Sequence, residues 1–296
     1  MENGVLAMLE NAIEALNSIF QDMGVWLTTS PDAFGGGGAW GVVSQVNVAL
    51  KGIGYGLLIL FFLMSFFKTT TNFRDISLQQ AIGWIVRFLL VKVLIDYSLD
   101  ILRFFITISL GANAEILDVS NGLGNVEIPP DVMEVMNAEI SLSWWERIPS
   151  FFQGIPLWIM AVISVLVIWV CGIIMVVMVY MRFFRVFIYT ALAPLPLSTF
   201  GSQETSQTGK HFLKAYAAVC LEICVISLAC VIFTAIISNG GLQIWASWSD
   251  MGLTNSVYGD YWGVTMNFII QLVIQTVLLT ISVSSANKII REALGA

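Results

Sequence analysis

The residues with the clearest potential for chemistry are charges inside an apolar stretch, residues 79–110. This stretch carries Lys92, Asp96, Asp100 and Arg103. At about 100° per residue, the four side chains fall within one narrow arc of a helix. Placing an ionised side chain at the centre of a bilayer costs roughly 2.5–3.5 kcal/mol on insertion scales. We therefore expect this arc to face a subunit seam or a water-filled lumen.

Two other interpretations of the same stretch stay open from the sequence. The charges can neutralise one another locally, because Lys92 and Asp96 are four residues apart and Asp100 and Arg103 are three apart. Alternatively, the stretch divides in two, and residues 96–117 lie along the membrane interface.

A further carboxylate, Glu222, lies inside a later apolar run. A carboxylate at that depth pairs with a cation, takes up a proton or faces water. Pairing is the first interpretation, with Lys92 or Arg87 as the cation. A pore-lining or ion-coupled role is the alternative.

No set of residues typical of an active site is visible. His211 is the only histidine, and it lies beside Lys210 in a polar segment where we expect it to be solvated. The sequence lacks a Walker-type Gly-Lys-Ser/Thr motif. The four cysteines lie in apolar runs, which favours packing over metal binding or disulfides. We expect no enzymatic activity and no cofactor.

The composition indicates an integral membrane protein. The chain is 57% hydrophobic and 11% charged, with a mean hydropathy of +0.84, whereas soluble domains carry about 25% charged residues. Its apolar runs are continuous, as in helices, rather than alternating, as in barrel strands. The sequence therefore predicts an all-α, polytopic membrane helical bundle with about five transmembrane helices, at residues 48–67, 82–110, 157–180, 215–238 and 264–285.

The chain before this bundle, residues 1–47, is predicted to be an external amphipathic helix followed by a glycine-rich linker. Five apolar residues recur at helical spacing, with polar residues such as Glu10 and Glu14 between them. They are Val5, Leu9, Ile13, Leu16 and Phe20. Because basic residues are absent, docking on a neighbouring subunit is favoured over binding to the membrane surface. The transmembrane bundle then occupies residues 48–296.

The distribution of Lys and Arg predicts the orientation. Intervals after the first, third and fifth spans contain most of the basic residues: Lys68, Arg74, Arg182, Arg185, Lys210, Lys214, Lys288 and Arg291. The positive-inside rule then predicts an external N-terminus, an external loop at 111–150, a cytoplasmic loop at 182–214 and a cytoplasmic C-terminus. Four basic residues of that cytoplasmic loop are predicted to contact lipid or a cytoplasmic partner: Arg182, Arg185, Lys210 and Lys214.

Pro194 and Pro196 predict a helix-breaking motif, because proline lacks an amide and restricts the residue before it. The surrounding runs, YTALAPLPLSTF at 189–200 and KHFLKAY at 210–216, resemble the TrbL family of membrane subunits in VirB-type type IV secretion and conjugation machines. The similarity is closest to versions from conjugative elements of Gram-positive bacteria. Its specific part is about residues 183–222, and the rest of the chain resembles the family only in topology.

The resemblance implies a non-enzymatic subunit of the cytoplasmic membrane. Such subunits form homo-oligomers, assemble with other type IV secretion subunits and cytoplasmic ATPases, and help to form the path for single-stranded DNA or protein. Two other classes remain open. One is a small-solute transporter or ion channel, and the other is an accessory structural membrane protein.

Overall fold

The computed structural model describes residues 2–71, 78–120, 122–128, 130, 133–134, 147–238 and 257–295. Within these residues the chain forms eight α-helices, two short 3₁₀ helices and no strand. In chain order the α-helices are α1 (Glu2–Thr28), α2 (Gly38–Thr71), α3 (Leu78–Asp96), α4 (Ser98–Val119), α5 (Arg147–Leu192), α6 (Pro194–Ser198), α7 (Ser206–Ser238) and α8 (Val257–Leu294). The prediction of an all-α fold is confirmed.

Four segments of the described chain are long and apolar enough to cross a membrane. They are Phe34–Lys68, Ile155–Leu192, Ser206–Ile237 and Gly263–Leu294. Each segment covers one predicted span to within one residue. Each also extends well beyond that span at one end or both, because the helices continue through the polar residues that flank the apolar runs. Large apolar side chains also cover much of the outer surface of α2, α3 and α5, as expected where lipid replaces water around a helix.

The second predicted span, 82–110, differs from the other four. The structure divides it into α3 and α4, with Tyr97 as the single residue between them. The position of this division agrees with the alternative in which the stretch separates near Asp96. In the predicted external loop 111–150, α4 continues to Val119, and residues 135–146 lie outside the described residues.

The chain folds as two compact units. Unit 1 contains Met1–Trp26, Glu115–Val179 and Ile226–Ser285, and unit 2 contains Leu27–Ala114, Tyr180–Val225 and Ala286–Ala296. Helices α1, α4, α5, α7 and α8 contribute residues to both units. Helix α2 belongs entirely to unit 2.

In unit 1, the apolar face of α1 is buried within its own chain. Four residues of the predicted stripe are buried: Leu9, Ile13, Leu16 and Phe20. The ring of Phe20 meets that of Phe233 edge-on at 5.7 Å between centroids. The expectation that this face docks on a neighbouring subunit is therefore wrong, since other residues of the same chain, Phe233 of α7 among them, bury it.

The glycine-rich run after α1 belongs to unit 2 and forms a tight turn. Gly35, Gly36 and Gly37 have φ of 62°, 70° and 77°, a left-handed conformation that glycine adopts without steric cost. The preceding Phe34 stacks on Phe183 at 4.0 Å between ring centroids. Because Phe34 is anchored in this way, the run is a structured entry into α2, which begins at Gly38 rather than at the predicted residue 48.

Candidate functional site: two helix interruptions beside a polar face

The first interruption lies between α3 and α4 in unit 2. Helical hydrogen bonds flank it, from the amide of Tyr97 to the Val93 carbonyl and from the amide of Ile101 to the Tyr97 carbonyl, both at 3.0 Å. The carbonyl oxygen of Asp96 instead accepts a hydrogen bond from Nζ of Lys51 at 2.6 Å. An ammonium group therefore satisfies a backbone acceptor at the point where the helix is interrupted.

The carboxylate of the same aspartate is also held by α2. The hydroxyl of Tyr55 donates to Oδ1 of Asp96. Lys51 and Tyr55 are four residues apart, so both project from the same face of α2. This face fixes both the backbone and the side chain of Asp96.

One turn earlier on this face, Asn47 bridges the two interruptions. Its side chain is 0% exposed. Its Nδ2 donates to the Thr190 carbonyl at 2.7 Å, and its Oδ1 accepts from Oγ of Ser98 at 3.3 Å. Thr190 lies in the last turn of α5 and Ser98 begins α4. We call Asn47, Lys51 and Tyr55 the α2 polar face.

The second interruption separates α5 from α6. Helix α5 ends at Leu192, and α6 begins at Pro194 as a single buried turn. The interruption is confined to Ala193, and Pro194 and Pro196, which were predicted to break the helix, themselves lie in the helical turn α6. Because Gly54 has no side chain, the α2 backbone approaches this turn closely, and a Cβ added there would lie 2.9 Å from the Pro194 carbonyl oxygen.

A second polar cluster in unit 2 surrounds Glu222, which is 3% exposed. Its Oε1 accepts from Nη2 of Arg185 at 2.8 Å, and its Oε2 accepts from Nδ2 of Asn287 at 3.2 Å. Glu222 is therefore paired, as the first interpretation held. The cation is Arg185 of α5, rather than Lys92 or Arg87 as proposed from the sequence, because α5 extends past its predicted end and carries Arg185 beside α7.

The structure separates the four charges of the predicted arc. Lys92, Asp100 and Arg103 are exposed, whereas Asp96 is half-buried against α2. In the part of the chain described, neither of the two proposed local pairs, Lys92 with Asp96 and Asp100 with Arg103, is an ion pair. The guanidinium of Arg103 lies over the ring of Trp40, 5.3 Å from its centroid.

The four basic residues assigned to a cytoplasmic loop have different environments. Lys210 and Lys214 are exposed, and Nζ of Lys214 donates to the Gly295 carbonyl at 3.2 Å. Arg182 and Arg185 lie inside α5, which continues to Leu192, and Arg182 is fully buried. Lys210 and Lys214 lie in α7, which begins at Ser206, so the assignment of all four residues to a loop is wrong.

The α2 polar face was missed in the sequence. Asn47, Lys51 and Tyr55 follow one another at intervals of four residues, which places them on one side of a helix. This spacing was the available signal, within a segment that otherwise looks like a plain apolar span.

No family model, curated protein or solved structure matches the chain. The functional conclusion therefore depends on the residues and on the geometry of the two units.

Proposed function

We propose that the chain is a membrane subunit of a type IV secretion or conjugation machine, and that copies of it assemble to help form a translocation path. The observation that carries this proposal is the surface of α3 and α4. Lys92, Asp100 and Arg103 are exposed there among large exposed apolar residues such as Leu90, which is 64% exposed. Lipid is a poor environment for these charges.

Contact with other copies resolves this conflict. If α3 and α4 meet a partner subunit, their apolar residues pack and their charges face the seam or a shared aqueous lumen. A single chain of this size is a poor container for a wide water-filled path, whereas a ring of copies encloses one. The TrbL-like run at 189–200 adds support, because it forms the second helix interruption beside the α2 polar face.

The remaining parts of the proposal follow from the same machine. We place the protein in the cytoplasmic membrane, with its N-terminus outside and its C-terminus in the cytoplasm. Its partners are then other secretion subunits, cytoplasmic ATPases, lipids, and single-stranded DNA or protein in transit. This orientation requires α3 and α4 together to complete a crossing, because the four long apolar segments alone would place both termini on one side.

Labelling tests the orientation. All four cysteines, which are free thiols in the structure, are first replaced by serine or alanine. Single cysteines are then introduced at Asn11 and at Ala293, which are exposed near the two ends. An impermeant maleimide added to intact cells should label the first position and not the second. Equal labelling of both would contradict an odd number of crossings.

A transfer assay tests the function. Deleting the gene from cells that carry the conjugative element should abolish transfer, and the wild-type gene should restore it. The triple variant Lys92→Gln, Asp100→Asn, Arg103→Gln should insert normally and restore little transfer. The matched control is Lys288→Gln with Glu292→Gln, an exposed pair on α8 with side chains 79% and 69% exposed. Full transfer by the triple variant would contradict the proposal.

A second candidate, a small-solute transporter or ion channel, is favoured by one observation. Many transporters bind their substrate where interrupted helices meet, and here two interruptions share the α2 polar face. Proteoliposomes containing the purified protein should pass no small ions or solutes if the secretion proposal holds. Saturable flux that is lost in Asn47→Ala would favour the transporter instead. Unimpaired transfer in the deletion strain, without such flux, would leave an accessory structural role.

A further inference from the structure

Arg182 in unit 2 is fully buried, and two of its donor groups lack an acceptor. Arg182 lies in α5, one turn before Arg185, and its side chain is 0% exposed. Its Nε and Nη1 have no hydrogen-bond partner among the described residues. The guanidinium group stays ionised in proteins and has only donors. Buried donors of this kind require an explanation, such as a bound ion or water.

The neighbouring groups do not neutralise Arg182. The titratable groups of α7 that act electrostatically on its guanidinium include Tyr216, Cys220, Glu222 and Cys224, and the guanidinium also lies over the Phe183 ring, 5.3 Å from its centroid. Only Glu222 is a carboxylate, and its two oxygens already accept from Arg185 and Asn287. The cluster therefore holds two guanidinium groups against one carboxylate. A buried charge without a counterion is strongly destabilising.

The missing group has three required properties. It must accept hydrogen bonds, because both free groups on Arg182 are donors. It must be negatively charged, because the cluster has an excess of one positive charge. It must also be small, because Arg182 has no exposed surface through which a larger ligand could reach it. A halide ion meets all three conditions.

We propose that Arg182 binds a small monovalent anion of the chloride class inside unit 2. The anion accepts from the free donors of Arg182 and balances the charge that Glu222 leaves uncompensated. This site is separate from the exposed charges of α3 and α4, so it does not depend on the proposed role in secretion.

The test uses the full chain purified in detergent, with sodium gluconate as the reference salt at constant ionic strength. Replacing gluconate by chloride or bromide should raise the melting temperature in a saturable way, by at least about 3 °C. Radiolabelled chloride should bind at about one ion per chain, as expected for one guanidinium site. Inorganic phosphate and vesicles of anionic phospholipid form two further arms, at the same ionic strength.

The variant Arg182→Met should lose both responses and should be at least as stable as the wild type in gluconate, since an uncompensated charge is removed. Arg182→Lys, which keeps the charge, should bind chloride more weakly. The half-buried Arg87→Met is the matched control and should respond as the wild type does. The proposal is overturned if the wild type responds to no anion, which would indicate water at the site. It is equally overturned if only phosphate or phospholipid stabilises the protein.

Discussion

Gly54 and the carbonyl oxygen of Pro194 are so close that a Cβ on residue 54 would lie 2.9 Å from that oxygen. This contact brings the backbone of α2 against the first turn of α6. Gly54 lies between Lys51 and Tyr55 in the sequence, so its contact with Pro194 sets how closely the α2 polar face approaches both helix interruptions. Close packing here requires a residue without a side chain.

Substitution of Gly54 by alanine should therefore be destabilising. The added methyl meets a backbone atom, which cannot move aside as a flexible side chain can, and overpacking of this kind costs about 1–3 kcal/mol. Gly52 and Gly56 are matched controls on the same helix, because an added Cβ meets nothing within 4 Å at either position. Thermal unfolding in detergent should show a lower melting temperature for Gly54→Ala, and unchanged or higher values for the controls.

The contrast among these glycines illustrates what the sequence could and could not provide. In the sequence, Gly52, Gly54 and Gly56 are equivalent small residues near the start of the first span, and any of them permits a close helix contact. Only the fold distinguishes Gly54 from its two neighbours, since the identity of the touching element depends on where α5 ends and α6 begins. The apolar runs predicted the helices themselves because burial in lipid requires little beyond length and hydropathy.

The same reasoning explains the errors at Arg182 and Arg185. Basic residues usually flank a membrane span, so their position predicted the end of a helix. In the structure α5 continues to Leu192, and Glu222 compensates Arg185 from a different helix. A pairing between residues 37 positions apart leaves no periodic trace in the sequence. The partner of Glu222 could not be identified without the fold.

The side chain of Lys51 should determine the local stability of the first interruption. Lys51→Met removes the donor to the Asp96 carbonyl, and loss of a partner to a partly buried acceptor costs roughly 1–3 kcal/mol. Amide hydrogen exchange should accelerate around residues 97–101. Lys210→Met, at an exposed position, is the control and should leave exchange there unchanged. Equal exchange in both variants would show that Lys51 does not hold the interruption.

The Arg185–Glu222 pair predicts a strong coupling energy. Glu222→Ala leaves two arginines of α5 without a carboxylate, and removing one partner of a buried pair costs about 3–5 kcal/mol. Arg185→Met should cost less, because Asn287 still donates to Glu222. The double variant should lose less unfolding free energy than the two single variants lose in total. A double-mutant cycle of unfolding free energies measures this, and additive losses would contradict a direct interaction.

The charges exposed on α3 and α4 predict the assembly state. Native mass spectrometry of the wild type from mild detergent should detect an oligomer, because apolar surface that carries Lys92, Asp100 and Arg103 needs a protein partner. Their joint replacement by Gln, Asn and Gln should reduce the oligomer. The Lys288 and Glu292 double replacement should leave it intact. A strictly monomeric wild type would remove the physical basis for a ring of copies.

In unit 1, Asn17 holds the chain that follows α4. Its Nδ2 donates to the Val126 carbonyl at 2.9 Å, and its Oδ1 accepts from the Val126 amide at 2.8 Å. Asn17→Ala removes both bonds, each worth about 0.5–1.5 kcal/mol. Residues 122–128 should then exchange amide hydrogens faster and be cleaved sooner in limited proteolysis. Asn11→Ala, which is exposed on the same helix, provides the comparison. If both variants are cleaved at the wild-type rate, other contacts fix this segment, such as that of Thr234 with the Leu123 carbonyl.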